Sequence, residues 1–344
     1  MTDSASSAMD TRPASRLSSR SSLRLFLLSN EFGLLVLIIV FAALFHGLAN
    51  GFLSPFNLFA LGRNAAVNIL IGLSMMTVLA TGGLNLAIGA MGVAAAMACG
   101  WLIEGAGLAW PLAVLGGLAL GAGLGVTNGW MVVKTGLHSF IITLATMSIF
   151  FGAMIFLSQG ESYRALPAVF SDLGRARVFT FVSPMFLIAV GTALVLSVLY
   201  RYTVQGREML AAGARPEAAE MSGVRVERTV IACHMLSGLL AALAALLLTA
   251  RNGAAIPSMA GQLGQDWLLP AFLGPVLGGT LLQGGKVSVL GTCLGAFLVT
   301  MLTSGLLLMQ VGAFWVQSFL GILLLLAVMI DKGRRSYLRR RNLA

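Results

Sequence analysis

Long apolar segments alternate with short polar segments along nearly the whole chain after residue 24. Since a bilayer core of about 30 Å requires roughly 20 apolar residues in a helix, this pattern predicts membrane-spanning helices. We predict ten, and the first covers Phe32–Leu48. The others are predicted at 65–81, 84–103, 108–133, 138–158, 182–200, 229–250, 267–283, 287–309 and 313–330. The boundary at Gly82–Gly83 is inferred from length alone, and a short interfacial helix is predicted within Gly51–Asn64.

The composition supports a membrane protein. Hydrophobic residues make up 58% of the 344 residues and charged residues only 10%, whereas soluble domains carry roughly 25% charged residues. The mean hydropathy is +0.92. We therefore predict an all-α, multi-pass integral membrane protein and exclude a soluble enzyme. Its domains are a disordered basic tail at 1–24, a transmembrane domain at 25–331 and a second basic tail at 332–344.

The basic residues are distributed unevenly between the two sides of the predicted bundle. With the N-terminus inside, seventeen of the 22 lie in the tails, in the loop 201–228, or at Lys134 and Lys286. The five on the outside are Arg63, Arg164, Arg175, Arg177 and Arg251. Because cytoplasmic loops carry the excess of Lys and Arg, this asymmetry predicts that both termini are cytoplasmic. The basic clusters are thereby explained without nucleic acid.

The chemistry that the chain lacks is also informative. Its acidic residues lie in tails, in loops or at the ends of spans, whereas proton-coupled carriers keep an ionisable group at membrane depth. The segment Gly284–Gly285–Lys286 fails as a nucleotide-binding loop because Thr280 and Val287 occupy positions that need Gly and Ser or Thr. No catalytic or metal-ligand constellation occurs, so we predict no catalytic residue, metal or cofactor on this chain. Energy for uphill transport would have to come from outside the bilayer.

Some residues within the spans are candidates for a role in transport or packing. Polar side chains that would line a solute path, or equally make interhelical hydrogen bonds, are Asn68, Thr77, Asn128, Thr143 and Ser148. Glycines recur every four residues on one face of the fourth helix, at Gly117, Gly121, Gly125 and Gly129. Small residues at this spacing predict close helix packing. His234 and the three cysteines are interpreted as packing residues.

The cytoplasmic loop 201–228 predicts a short helix of about two turns. Pro216 suits the first helical position, Glu217 complements the positive end of the helix dipole, and Gly223 suits a left-handed stop. The residues alone leave two interpretations open, a solvated connection or a docking element for a cytoplasmic partner. The long outside loop 158–183 could likewise be a solvated loop or could dock an extracytoplasmic partner.

Two turns share one spacing of glycines, a pair followed by five residues and a third glycine, at 82–89 and 284–291. The first of these turns begins a series of motifs in which the chain resembles the membrane-spanning permease subunits of bacterial ATP-binding-cassette importers for monosaccharides. The motifs are Gly82–Gly89, Asn128–Gly129, Phe140–Leu144, Gly206–Arg207, Ala211–Gly213, Ala218–Ala219, Ser222–Gly223, Leu277–Thr280, Gly284–Gly285 and Gly291–Thr292. Asn85 departs from the aspartate usual in the family, and we interpret it as the loss of a charge at a cytoplasmic turn.

The resemblance implies a subunit of the bacterial inner membrane that translocates a monosaccharide delivered by a periplasmic binding protein. It also implies ATPase subunits that hold ATP and magnesium, and a second permease copy that is identical or paralogous. The loop 201–228 would then couple the permease to the ATPase. The coupling residues are Gly206, Arg207, Gly213, Pro216, Glu217, Ala218, Ala219, Ser222 and Gly223.

Two alternatives to this function stay open. The same machinery would also suit a nucleoside, a sugar alcohol or a small signalling furanose. The second alternative is a passive facilitator that works alone, although it would leave loop 201–228 without a role.

Overall fold

A computed structural model describes residues 30–178 and 182–340 of the chain. They form thirteen α-helices and one 3-10 helix, at Gln262–Trp267. The α-helices are α1 Asn30–Leu48, α2 Pro55–Leu79, α3 Ile88–Glu104, α4 Trp110–Thr135, α5 Ser139–Ser158, α6 Ala168–Arg175, α7 Pro184–Tyr202, α8 Val204–Ala214, α9 Pro216–Met221, α10 Val226–Asn252, α11 Leu268–Leu277, α12 Val289–Leu308 and α13 Ala313–Arg340. The predicted tail at 1–24 lies outside the described residues.

Seven of these helices are long and apolar enough to cross a membrane, namely α1, α2, α4, α5, α7, α10 and α12. No β-strand occurs in the described ranges. They contain only isolated β-bridges, such as the one between Tyr163 and Ala255. The predicted all-α membrane fold is therefore confirmed. The orientation with both termini in the cytoplasm stays a prediction.

The segment 267–283 does not form the single span that was predicted. Its helix, α11, has only ten residues and ends at Leu277. Pro275 lies in its last turn and Gly279 adopts a positive φ of 81°. Since proline removes a backbone donor and a left-handed residue cannot continue a right-handed helix, the chain turns here instead of crossing.

The second helix is longer than predicted because it includes most of the expected interfacial segment. Ser54 accepts a hydrogen bond from the backbone N–H of Asn57, and Pro55 takes the first helical position. These signals start α2 at Pro55 and leave no separate interfacial helix in 55–64. The predicted boundary at Gly82–Gly83 is confirmed, because residues 80–87 connect α2 to α3.

Helices α2 and α10 form the centre of the bundle. Most of their residues are buried, and α10 packs against α4, α2 and α3. The helices around them expose large apolar side chains, for example Val195 on α7, Leu157 on α5 and Phe314 on α13. A helix surface of this kind is typical of contact with lipid or with another membrane subunit.

The glycines of α4 lie at its contact with the centre of the bundle. A methyl group at Gly121 would collide with Ala242 of α10, and one at Gly125 would collide with the carbonyl oxygen of His234. Gly129 faces the backbone of Ile231, also in α10. Gly117 instead faces α3, where an added methyl group would come within 2.9 Å of the carbonyl oxygen of Ala95. The absence of side chains lets the two backbones approach closely.

Candidate functional site

The loop 201–228 is almost entirely helical and contains one helix that was not predicted. The side chain of Thr203 accepts a hydrogen bond from the backbone N–H of Gly206 and starts α8. Arg215 is extended, with a φ of −154°, and separates α8 from α9. Thr203 was the available signal for α8, because threonine is a favoured N-cap residue. Gly206 and Gly213 lower the helical propensity of this segment, since glycine is a poor helix former, and the helix was therefore not predicted.

Helix α9 occupies the position of the predicted coupling helix and is largely exposed. Pro216 takes its first position, and Gly223 follows it with a φ of 86°. The side chain of Met221 is 92% exposed, whereas Ala219 is 5% exposed and attaches the helix to the rest of the molecule. The predicted coupling residues that are exposed include Arg207, Glu217, Ala218 and Ser222. An exposed thioether beside charged residues forms an amphipathic surface that projects from the bundle.

Gly213 lies where three chain segments meet. A methyl group on it would overlap the carbonyl oxygen of Ala80 and come within 2.7 Å of the amide nitrogen of Gly285. Gly284 in turn lies against the amide of Gly82 and the carbonyl oxygen of Gly213. We call these five residues, Ala80, Gly82, Gly213, Gly284 and Gly285, the glycine junction. It brings together the two turns that share a glycine spacing and the end of α8.

Gly206 has a related role at the other end of α8. A methyl group there would collide with the carbonyl oxygen of Leu199 and approach the Cα atom of Tyr200. Gly206 is buried, as are Met209 and Ala212 on the same helix. Both ends of α8 are therefore packed directly against membrane helices or the turns that connect them.

The five polar candidates for a solute path are not brought together. Thr77 and Thr143 are fully buried and donate to backbone carbonyl groups, those of Ser74 and Ser139 respectively. Asn128 is also buried, and its Oδ1 atom has no hydrogen-bond partner. Each also contacts another segment: Thr77 donates to the carbonyl oxygen of Cys233, Thr143 accepts from the amide of Leu86, and Asn128 donates to the sulfur of Met91. Contacts of this kind are typical of packing between helices.

The other two candidates differ from these three. Ser148 is exposed on the outer face of α5. Asn68 is half-buried and donates a 2.9 Å hydrogen bond to the hydroxyl of Thr300. It is the one candidate of the five that lines the polar cavity between α2, α10 and α12.

Asn85 lies in the turn that connects α2 to α3, and it is not exposed there. Its side chain is fully buried. Its Oδ1 atom accepts a 3.0 Å hydrogen bond from the amide of Ala87, and its amide nitrogen donates to the hydroxyl of Ser237 at 2.9 Å. The Ser237 hydroxyl also hydrogen-bonds that of Ser74. Asn85 therefore joins the start of α3 to α10 and α2 through a buried polar cluster.

The loop 158–183, which is predicted to lie outside, is packed rather than free in its central part. Its helix, α6, crosses the end of α10, where Gly174 lies directly against the backbone of Arg251. Arg175 donates hydrogen bonds to the carbonyl oxygens of Arg251 and Asn252, at 3.3 and 3.2 Å. A cation at the C-terminal end of a helix is favoured by the helix dipole.

Four arginines predicted on the outside gather at this end of the bundle. The guanidinium groups of Arg63 and Arg177 each lie 4.7 Å from the centre of the Phe59 ring. Arg251 donates a 2.6 Å hydrogen bond to the side-chain oxygen of Asn64. Within the described part of the chain, no three His, Cys, Asp or Glu side chains come together as a metal site would require.

Comparison with known proteins identifies relatives over nearly the whole chain. Residues 57–329 match the family described as the permease component of the branched-chain amino acid transport system. The chain is 34% identical over 304 residues to the ribose import permease protein of Bacillus subtilis, a match that covers 88% of this chain and 91% of that protein.

Two further relatives come from Escherichia coli (strain K12). The chain is 30% identical to the xylose transport system permease protein, over 83% of this chain and 86% of that protein. It is 29% identical to the D-allose transport system permease protein, over 94% and 98%. No solved structure matches.

Proposed function

This chain belongs to the family of branched-chain amino acid transport system permease components, and we propose that it is the membrane subunit that translocates a monosaccharide in an ATP-driven importer. The ribose, xylose and D-allose permeases among its relatives support a monosaccharide over a nucleoside or a sugar alcohol. In this proposal ATP and magnesium are bound by partner ATPase subunits. A periplasmic binding protein delivers the sugar to an assembly in the bacterial inner membrane that contains a second permease copy.

The observation that carries the proposal is the exposure of α9. Met221 presents an almost fully exposed apolar side chain at the end of α9, whose other residues are proline, alanine and glutamate. Protein interfaces typically enclose a few apolar anchors within a polar rim. We infer that Met221 enters a groove on the ATPase, while Glu217 and Arg207 contact the rim.

The glycine junction then explains how movement of the ATPase would reach the membrane helices. Residues 80–87 lead into α3, and residues 278–288 connect α11 to α12. Both turns contact the end of α8 backbone to backbone, without intervening side chains. Because closely packed backbone has little room to deform, a displacement of α8 must move the turns with it.

Purification of a complex with an ATPase tests the proposal. The chain is produced together with a candidate ATPase subunit, and the ATPase bound per permease is measured. Met221→Glu places a charge in the core of the proposed interface, so it is expected to weaken association about tenfold or more. Glu217→Arg should weaken it less. The control is Ser148→Ala, on the outer face of α5.

The proposal fails if no ATPase associates with the chain, or if the Met221→Glu variant binds it as tightly as the unmodified chain does. The first result would favour the passive facilitator, which needs no partner at α9, whereas the second would exclude Met221 as the residue that anchors the ATPase.

A further inference from the structure

A groove lies between α7, α8 and α10, at the end of the bundle that carries α9. Its volume is about 530 Å³, and its lining includes Leu199 of α7, Glu208 and Met209 of α8, and Arg225 and Arg228 at the start of α10. Helix α8 packs against both α7 and α10. We call this space the α7–α10 groove. It is separate from the cavity between α2, α10 and α12, which lies at the other end of α10.

One face of α10 changes from basic to apolar along the groove. Arg225 and Arg228 lie at its start, and Ala232, Met235 and Leu236 follow in the lining. Successive members of this series are three or four residues apart, which places them on the same face of the helix. The side chain of Met235 is 42% exposed. The α7–α10 groove is therefore cationic at its mouth and mainly apolar farther along α10.

The length of α10 relates this polarity to depth in a membrane. The helix has 27 residues, which corresponds to about 40 Å at a rise of about 1.5 Å per residue. A hydrocarbon core of about 30 Å then leaves about 5 Å of helix at each end. Arg228, in the first turn, lies at the level of the lipid headgroups. Met235 lies about 10 Å deeper, at the level of the acyl chains.

The two guanidinium groups at the mouth are free to contact a ligand. Arg225 and Arg228 are exposed, and neither side chain has a hydrogen-bond or ion-pair partner among the residues that the structure describes. The one acidic side chain of the lining is Glu208, so the cations outnumber it two to one. A guanidinium group matches the oxygens of a phosphate with two parallel N–H donors. The positive end of the α10 dipole favours an anion at the same place.

We propose that the α7–α10 groove binds an anionic phospholipid. Its phosphate contacts Arg225 and Arg228, and an acyl chain lies along Ala232, Met235 and Leu236. Basic pockets between transmembrane helices bind lipid headgroups in this way. A soluble partner does not reach the part of the groove at the level of the acyl chains, and a free phosphate ion would fill only the mouth. The inference holds for any solute that the chain carries.

Native mass spectrometry of the full chain in a non-ionic detergent tests the inference. Dioctanoyl-phosphatidylglycerol, dioctanoyl-phosphatidylcholine or glycerol 3-phosphate is added at graded concentrations. The apparent dissociation constant of the first bound molecule is measured. Arg228→Gln removes one cation of the groove, whereas Arg228→Lys keeps the charge. The matched control is Arg164→Gln, which removes an exposed cation from the loop before α6.

A second pair of variants tests the apolar part of the groove. Ala232→Phe fills the space beside Met235. Its control is Ala119→Phe, at an exposed position of α4. The charge variants remain decisive if Ala232→Phe does not fold, because Arg228 is exposed and its replacement disturbs no packing.

We expect phosphatidylglycerol to bind the native chain, Arg228→Lys, Arg164→Gln and Ala119→Phe with similar dissociation constants. Arg228→Gln should raise the constant about fivefold, which is the contribution of one basic residue near a membrane surface. Ala232→Phe should raise it at least as much. Phosphatidylcholine has no net charge, so it should bind several times more weakly than phosphatidylglycerol. Glycerol 3-phosphate should not bind detectably, because it lacks the apolar chains.

Four results would overturn the inference. The first is that phosphatidylglycerol does not bind, and the second is that Arg228→Gln and Arg164→Gln weaken its binding equally. Binding of glycerol 3-phosphate as tight as that of phosphatidylglycerol would identify a site for free phosphate. Dimers that bind no phosphatidylglycerol would assign the groove to a second copy of the chain.

Discussion

The backbone N–H of Gly285 donates a 3.0 Å hydrogen bond to the carbonyl oxygen of Ala80. This bond joins the turn after α2 to the turn before α12, although the two residues are far apart in sequence. Gly213, at the end of α8, packs against the same carbonyl group. The segment that carries the exposed helix α9 is thus attached where two membrane-helix connections meet.

Enlarging Gly213 should uncouple the permease. In Gly213→Ala the added methyl group would overlap the backbone of Ala80, and overpacking of this kind costs about 1–3 kcal/mol. We expect sugar uptake per ATP hydrolysed to fall severalfold while ATPase binding through α9 persists. The ratio of uptake to hydrolysis in proteoliposomes measures this effect. The control is Gly152→Ala in α5, where the structure leaves open space. An unchanged ratio in Gly213→Ala would exclude the glycine junction from coupling.

Two glycines in α4, two residues apart, should respond oppositely to the same substitution. Gly125→Ala forces a methyl group into the carbonyl oxygen of His234, whereas Gly123→Ala meets no atom within 4 Å. The first variant should lose about 1–3 kcal/mol of stability. The second should be neutral or gain up to about 1 kcal/mol, because alanine is the better helix former. Thermal unfolding in detergent compares them, and equal unfolding temperatures would contradict the observed contact between α4 and α10.

Asn85 should tolerate aspartate better than leucine. In Asn85→Asp an oxygen can still accept from the amide of Ala87, and the second oxygen can accept from the hydroxyl of Ser237. Asn85→Leu removes both bonds and leaves the buried amide of Ala87 without this partner, at a cost of about 1–3 kcal/mol. The Ser237 hydroxyl keeps its hydrogen bond to Ser74. Unfolding temperatures in detergent should therefore rank the native chain and Asn85→Asp above Asn85→Leu. The reverse order for the two variants would disprove the assigned hydrogen bonds.

Glu104 should control the order of the outside loop. Its carboxylate accepts hydrogen bonds from the backbone amides of Arg164 and Ala165, at 2.8 and 3.0 Å. Glu104→Leu removes both, so we expect proteolysis within residues 159–167 to become several times faster than in the native chain. Mass spectrometry of digests from right-side-out vesicles locates the cleavage. Because the loop is predicted outside, cleavage confined to inside-out vesicles would reverse the predicted orientation.

The parts of the fold that the sequence predicts are those controlled by local chemistry. A run of apolar residues predicts a span such as α12 whatever its neighbours are, and Pro216 and Gly223 mark the ends of α9 through their own backbone preferences. The glycine pairs at 82–83 and 284–285 were recognised as similar turns. Their contact was not foreseen, because spacing along the chain says nothing about which turns meet.

The features that the sequence does not predict depend on tertiary packing. Helix α8 contains two glycines that lower its helical propensity, yet both are needed because neighbouring backbone lies against them. Asn85 lies in the turn between α2 and α3, and the burial of its side chain depends on contacts with Ala87 and with Ser237 of α10 that the sequence does not reveal. The cavity between α2, α10 and α12 combines residues that lie far apart in the sequence. The sequence pattern could identify Asn68 but not its partner Thr300, nor the pair of Asn64 and Arg251.

Sugar uptake by proteoliposomes that contain this chain, a candidate ATPase and a candidate sugar-binding protein tests the central claim most directly. We predict accumulation of one monosaccharide above its external concentration only when ATP is present, and its loss in the Met221→Glu variant. Equilibration of the sugar at the same rate without ATP, through the unmodified chain and the variant alike, would contradict the account and identify a passive facilitator.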